Sequence, residues 1–291
     1  MGQIMKNENK VLACVDQSHF SDYVADYAAW AARRLEAPLE FLHVIDNHPE
    51  IGSGKDHSGA IGIDAQENLL AQLATEDETR IKAARERGRV FLNRLRERAL
   101  ATGVESVDVR QRLGELEETL AEQESGVRLL VMGRKGEVAE ATQRELGRNV
   151  ERVVRALHKP ILTVMENFTE PRRVMIAFDG GSVTRRGVKM VADSPLFRGI
   201  PVHLLMSGKE SHDAPKQLGW ARTTLEAVGF EVSASLIPGE AKSVIARTVR
   251  DQSIDLLIMG AYSHSLLRTL VFGSKTADLL RSATIPTLLL R

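Results

Sequence analysis

The 291-residue sequence has little of several features that define whole classes of protein. Its single cysteine, Cys14, excludes an intrachain disulfide and favours a reducing compartment. Basic and acidic residues balance at 39 each, so no basic excess favours nucleic acid or an anionic membrane surface. The first residues lack the apolar core of a signal peptide, and no apolar run approaches the ~20 residues that cross a bilayer. We therefore expect a cytoplasmic protein without nucleic-acid or membrane partners.

Patterns typical of metal centres and of hydrolytic enzymes are also missing. None of the eight histidines has a metal-ligand spacing to cysteine or to another histidine. No serine, histidine and aspartate form an arrangement that would predict a nucleophilic triad. We therefore expect neither a metal site nor catalytic residues.

What the sequence does contain is an internal repeat. Residues 128–165 align with 255–291, because each has an apolar run ending in Met-Gly, a second glycine, a helical pattern, and a proline before a last apolar run. Upstream, "KVLACVDQS" matches "RVMIAFDGGS", and "LEFLHVID" matches "IPVHLLMS". We interpret His43 and His203 as occupying matching places in the two second strands. The polar stretch 166–172 separates the copies. We predict two domains, residues 1–166 and 172–291.

Each copy alternates strand-like and helical stretches. In the first copy the predicted strands lie near Val11–Val15, Leu39–Val44, Val107–Gln111, Leu129–Met132 and Ile161–Met165. Strands that alternate with helices predict an α/β fold, with a parallel sheet covered by helices on both faces. The first copy carries extra residues at about 47–100, which predict a glycine-rich loop followed by a long amphipathic helix. This insertion is either a surface extension, a lid over a ligand, or a contact between the halves.

The turn after the fourth strand of the second copy has features of an anion site. Gly260 ends an apolar run, and Gly273-Ser274 opens a helical pattern. Free N–H groups at a helix start favour an anion, and a serine hydroxyl adds a donor. The same residues equally fit a plain strand–turn–helix junction in which Ser274 is the N-cap.

Both copies resemble the universal stress protein family. The resemblance rests on a glycine pattern: Gly, two residues, Gly, nine residues, Gly, then Ser or Thr. It implies two tandem flavodoxin-like, Rossmann-like domains, each a five-stranded parallel sheet of order 3-2-1-4-5. In that order the first and fourth strands flank the switch point, where ligands bind.

The resemblance also implies roles for residues at the ends of the strands. Asp16 or Asp179, after the first strand, would bond the adenine edge, with helix N-capping as the alternative. The backbone near Val44 or Leu204, in the second strand, would touch the base. The glycine loop and its hydroxyl would hold ribose and phosphates.

The two copies depart from the glycine pattern in different places. The first has Gly133, Gly136 and Gly147, but with ten residues between the last two, and Arg148 replaces the hydroxyl residue; Asn149 follows as a polar candidate. The second copy matches three of the four pattern positions and has Ser263 in place of the middle glycine. Its candidate residues are Gly260, Ser263, Gly273 and Ser274.

The resemblance implies a stress-response protein that binds ATP or another adenine nucleotide, with Mg²⁺ as a candidate companion. The two fifth strands would pair across the duplication into an internal pseudo-dimer, and association of two chains into a homodimer is a further expectation. An interaction module that kept the fold but lost the nucleotide is the alternative. We expect binding without turnover, and slow nucleotide hydrolysis is the third hypothesis.

Overall fold

A computed structural model describes residues 9–45, 63–135, 148–208, 212–261 and 279–291. Ten strands alternate with helices along these ranges. The strands are β1 (Lys10–Cys14), β2 (Leu39–Ile45), β3 (Val107–Leu113), β4 (Val127–Gly133), β5 (Ile161–Val164), β6 (Val174–Ala177), β7 (Val202–Gly208), β8 (Val232–Pro238), β9 (Leu256–Gly260) and β10 (Thr287–Leu290). The predicted strands of the first copy are confirmed to within two residues at either end.

The helices follow the predicted alternation. They are α1 (Ser21–Leu35), α2 (Ile63–Ala101), α3 (Leu116–Gln123), α4 (Arg148–Ala156), α5 (Ser182–Asp193), α6 (Ala214–Glu226) and α7 (Ala241–Asp251), with a final helical segment at 279–282. The insertion of the first half is the 39-residue α2, where the second half has the 13-residue α6. The glycine-rich loop predicted before α2 lies outside the described residues.

All ten strands form one continuous sheet, in the order β3-β2-β1-β4-β5-β10-β9-β6-β7-β8. When the strands of each half are numbered one to five along the chain, each half has the order 3-2-1-4-5, and neighbouring strands are parallel throughout. The halves join where β5 and β10 pair antiparallel, with Leu162 opposite Leu288. The expected α/β fold and the pairing of the two fifth strands are thus observed.

A hydrophobic core lies on each face of the sheet and continues through both halves. On one face α1, α2, α5 and α6 cover strand residues such as Val11 and Ile176. On the other face α3, α4, α7 and the final helical segment cover residues such as Leu12 and Leu257. Successive strand residues point to opposite faces, so central strands buried on both sides read as unbroken apolar runs. Within the described residues, no helix is long and apolar enough to cross a membrane.

The strand register corrects the predicted correspondence between the two second strands. Cys14 pairs with Leu42, whereas Ala177, the counterpart of Cys14, pairs with Leu205. The aligned counterpart of His43 is therefore not His203 but the residue three positions after it. Apolar side chains line both strands almost throughout, so the sequence pattern offered no marker of register, and the prediction was wrong.

Aromatic side chains tie the two halves together beside the shared sheet. Trp30 of α1 and Phe197 of the second half are each 1% exposed, and their ring centroids lie 6.2 Å apart. Tyr27 meets Phe168 edge-on at 4.8 Å. Because these large buried surfaces cross between the halves, separating the halves would expose core residues of both.

A buried arginine of the first half bonds the end of the second half's last helix. Arg134 follows Gly133 at the end of β4 and is 1% exposed. Its Nη2 donates to the Ile285 carbonyl at 3.0 Å and to Thr287 Oγ1 at 3.2 Å, and its Nη1 donates to the Ala283 carbonyl. Burial lowers the pKa of Arg134 to about 10. Carbonyls at a helix C-terminus carry partial negative charge, so they favour a cation there.

The second half makes the corresponding contact in the other direction. Arg291 Nη1 donates to the Leu157 carbonyl at 2.8 Å and to the Arg155 carbonyl, at the end of α4. Each half therefore supplies an arginine to the C-terminal end of the other half's last helix. The two arginines come from different places in the repeat, because the aligned counterpart of Arg134 is Ala261.

Candidate functional site

The C-terminal ends of β1 and β4 bring the predicted aspartate and glycine of the first half to one edge of the sheet. Cys14 pairs with Met132, so Asp16 and Gly133 follow next to each other in the neighbouring strands. The second half repeats this arrangement, since Ala177 pairs with Met259 ahead of Asp179 and Gly260. Both pairs lie where the strand order reverses, at the switch point of each half.

The carboxylate of Asp16 holds the turn between β1 and α1. Its Oδ1 accepts hydrogen bonds from the Ser18 hydroxyl at 2.5 Å and the Ser18 N–H at 3.2 Å. The Ser21 hydroxyl lies 3.3 Å from the same oxygen. The N-cap position of α1 is Phe20, which has no side-chain cap, so Asp16 braces the turn rather than capping the helix in the strict sense.

Asp179 does the same in the second half. Its Oδ1 accepts from the Gly181 N–H at 2.8 Å and from the Thr184 hydroxyl at 2.6 Å. The residue is exposed, and no hydrogen bond from the described part of the chain engages its Oδ2. One carboxylate oxygen thus fixes the turn while the other is available to a ligand donor.

The two switch-point glycines have no room for a side chain. A Cβ on Gly133 would lie 2.7 Å from the Lys135 carbonyl oxygen. A Cβ on Gly260 would lie 3.2 Å from Val183 Cγ1 and 3.3 Å from Thr184 Cγ2. Thr184 therefore touches both elements of the second site, since its hydroxyl bonds Asp179. Close packing by neighbouring protein atoms therefore favours glycine at both positions.

Comparison with known proteins agrees with this geometry. The model of the universal stress protein family matches residues 8–165 and 206–291. The chain belongs to the universal stress protein family. It is 34% identical over 290 residues to Universal stress protein Slr1230 of Synechocystis sp. (strain ATCC 27184 / PCC 6803 / Kazusa), which covers 99% of this chain and 100% of the relative.

A solved structure of the family shares the fold of the whole chain. A universal stress protein from Archaeoglobus fulgidus DSM 4304 superposes with a TM-score of 0.66 at 18% identity, covering 98% of this chain and 97% of that one. A shorter universal stress protein from Archaeoglobus fulgidus was solved in complex with dAMP. It covers 43% of this chain and 100% of its own, at 19% identity and a TM-score of 0.33.

The remaining predicted residues of this family member lie in different surroundings. Val44 is half-buried near the end of β2, and Asn149 is exposed in the first turn of α4. Leu204 is fully buried and pairs with Ile176, three residues before Asp179. By the observed register, Ser207 is the second-half residue at the position of Val44. The role of Leu204 stays a prediction.

Five predicted site residues cannot be placed at this edge. Gly136, Gly147, Ser263, Gly273 and Ser274 lie outside the described residues, so their roles stay predictions. The backbone of Arg148 begins α4, as the sequence places it. Among the described residues, no group of three histidine, cysteine, aspartate or glutamate side chains could hold a metal ion.

Sequence reasoning missed the side chains that cover the Asp179 turn. Gln217 of α6 lies directly over Gly180, where a Cβ would meet its Oε1 at 1.7 Å. Arg185 Nε donates to the Gly180 carbonyl at 2.9 Å, and its guanidinium lies 4.8 Å from the centre of the Trp220 ring. Arg185 and Trp220 are on different helices and match no motif, so only the packing of α5 on α6 could have identified them.

Two histidines are buried among the described residues, and only His43 lies near a switch point, because His203 is at the start of β7. His43 Nδ1 lies 3.0 Å from the Val15 carbonyl, immediately before Asp16. His203 Nδ1 lies 2.8 Å from Ser233 Oγ, and burial followed by the charge of Arg173 lowers the pKa of His203. His43 thus fixes the strand end that carries Asp16, and His203 is held neutral inside the sheet.

Proposed function

We propose that this chain binds an adenine nucleotide, with ATP as the first candidate, at the switch-point crevice of one or both halves. The observation that carries the proposal is the repeated meeting of an aspartate and a side-chain-free glycine between β1 and β4, and between β6 and β9. Family membership supports a role in the stress response. We propose that this role is exerted by binding rather than by turnover, in the cytoplasm.

The residues present fit such a ligand. Asp179 offers a free carboxylate oxygen to an exocyclic amine or a ribose hydroxyl, both of which are hydrogen-bond donors. Gly133 and Gly260 end β4 and β9 at this edge and carry no side chain of their own that would block phosphate oxygens. Mg²⁺ would then be held chiefly by the phosphates, as is usual for nucleotide-bound magnesium.

A nucleotide-free interaction module is the second candidate, and one observation favours it. Asp16 and Asp179 already bond their own turns, so each turn is braced without a ligand. Arg148 stands in place of the expected hydroxyl residue, which is a second feature that favours this alternative. In this alternative the chain acts through protein contacts, including association of two chains.

Nucleotide released from the purified, denatured protein and identified by mass spectrometry separates the two candidates. We expect an adenine nucleotide in the native protein and its loss on combining Asp16→Ala with Asp179→Ala. Asp193→Ala is the matched control, because Asp193 is exposed at the end of α5, away from the turn. Full retention of nucleotide in the double variant would refute the site, and conversion of bound ATP to ADP over time would favour slow hydrolysis.

A further inference from the structure

A cavity of about 250 Å³ opens on the second half, away from both switch points. It lies between α7, the final helical segment and the start of β9. It is lined by Lys242, Ile245, Ala246, Val249, Arg250, Leu257, Leu279, Ser282, Ala283, Thr284 and Ile285. These side chains take no part in the switch-point site.

The repeat aligns one wall of the cavity with a larger side chain in the first half. Leu157 and Ala283 occupy the same position, since each donates its N–H to the residue four earlier and precedes a Pro at the start of the last strand by three residues. Leu157 is 3% exposed and fills the core of the first half. Ala283 is much smaller, so the second half has open space at the aligned position. In the first half, Arg152 and Glu117 form an ion pair at 3.3 Å between α4 and α3.

The walls of the cavity combine an apolar floor with two cations. Ile245, Val249 and Leu257 are buried beneath it. Lys242 and Arg250 are exposed, eight residues apart on α7, which separates their positions by about 12 Å along the helix. Within the described residues neither side chain forms a hydrogen bond or an ion pair, and no carboxylate lines the cavity. Among these residues the opening therefore carries two positive charges and no negative one.

We propose that this cavity binds a small anionic amphiphile, a medium-chain carboxylate, with its hydrocarbon chain on the apolar floor and its carboxylate on Arg250. Arginine is the better of the two cations for a carboxylate, because the planar guanidinium bonds both oxygens at once. The volume has room for roughly eight groups the size of a water molecule, at about 30 Å³ each, which matches a chain of about eight carbons. The proposal does not depend on nucleotide binding.

Titration of the full-length protein with sodium octanoate, followed by calorimetry and by methyl NMR, tests this proposal. We expect one octanoate per chain, with shifts at the methyl groups of Ala246 and Ala283. Affinity should rise about three- to fourfold per added carbon from hexanoate to octanoate and then level off as the chain outgrows the cavity. Octanol should bind more weakly than octanoate, and only octanoate should lose affinity in high salt.

Two substitutions fill the cavity from different sides. Ala283→Leu restores the side chain that the first half has at this position, and Ala246→Leu fills from α7; each should weaken octanoate at least tenfold. Ala241→Leu, on α7 outside the lining, is the matched control and should leave affinity unchanged. Arg250→Gln should weaken octanoate about two- to fivefold, and more than Lys242→Gln does.

Three results would overturn the proposal: no saturable binding of octanoate, binding in both filled variants equal to that of the native protein, or methyl shifts confined to other parts of the protein. If Ala283→Leu raises the thermal midpoint while the native protein does not bind octanoate, the cavity is a packing defect only. Should a filled variant fail to fold, the shift map of the native protein still decides the location.

Discussion

Replacing Arg134 by methionine tests whether the arginine bonds between the halves stabilise the molecule. The guanidinium donates to three oxygens of the second half, those of Ala283, Ile285 and Thr287, and is itself 1% exposed. Leaving a buried acceptor without its donor costs about 1–3 kcal/mol. The Ile285 carbonyl keeps a hydrogen bond from the Thr287 hydroxyl at 3.2 Å, so two acceptors, the Ala283 carbonyl and Thr287 Oγ1, lose their donor.

Two effects oppose each other in the size of the loss. Two unsatisfied acceptors predict a loss of roughly 2–6 kcal/mol, whereas removing a desolvated cation returns part of that free energy. Among the described residues no carboxylate pairs with Arg134, and burial alone lowers the pKa of its guanidinium. The desolvation cost is therefore substantial. We expect a net loss of about 2–4 kcal/mol in the free energy of unfolding.

Thermal and urea unfolding measure this loss directly. An unfolding entropy of about 2.1 cal/mol/K per residue gives roughly 0.6 kcal/mol per °C for a chain of this length, so the midpoint should fall by about 3–6 °C. Arg247→Met is the matched control, because Arg247 is exposed on α7 and should change stability by less than about 0.5 kcal/mol. Arg134→Lys should recover part of the loss. If Arg134→Met unfolds no more easily than Arg247→Met, the bonds between the halves contribute nothing net.

Three other changes test separate parts of the structure. Gly133→Val should lower nucleotide content in the first half by pushing the Lys135 carbonyl out of place, as measured by nucleotide per chain against the native protein. His203→Gln should flatten the pH dependence of the urea midpoint: the lowered pKa means the unfolded chain binds the proton first, so native stability is full above about pH 6.5 and falls below it. A slope equal to the native one would contradict this. Gly180→Ala should lower stability by about 1–2 kcal/mol, because φ is +75° there and Gln217 Oε1 occupies the Cβ position. Gln217→Ala in the same chain should recover only the steric part in urea unfolding; complete recovery would mean that φ carries no strain.

The fold and the location of the site could be predicted from the sequence better than the strand register and the contacts of single side chains. The duplication and the ends of β1, β4, β6 and β9 could be read from apolar runs that stop at Asp16, Gly133, Asp179 and Gly260. Strand order came from the family resemblance, because apolar runs do not say which strands are neighbours. Once that order is given, the aspartate and glycine of each half must meet at one edge.

The misses have a common physical cause. Register within β7 is set by packing on both faces, and a run such as "VHLLM" fits several registers equally well, so the sequence did not show that Ser207, rather than Leu204, corresponds to Val44. The contacts of Arg134 could not be predicted, because a single arginine after a glycine matches no local pattern. Its partners lie about 150 residues further along the chain. Long-range contacts of single side chains leave no periodic trace in the sequence.

Native mass spectrometry of the full chain with added ATP tests the nucleotide site most directly, because it counts ligands per molecule. The account predicts at least one bound nucleotide on the native chain, one fewer when Asp16→Ala or Asp179→Ala removes a filled site, and none when both are changed. An unoccupied native chain at saturating ATP, or the same count in all four proteins, would contradict it.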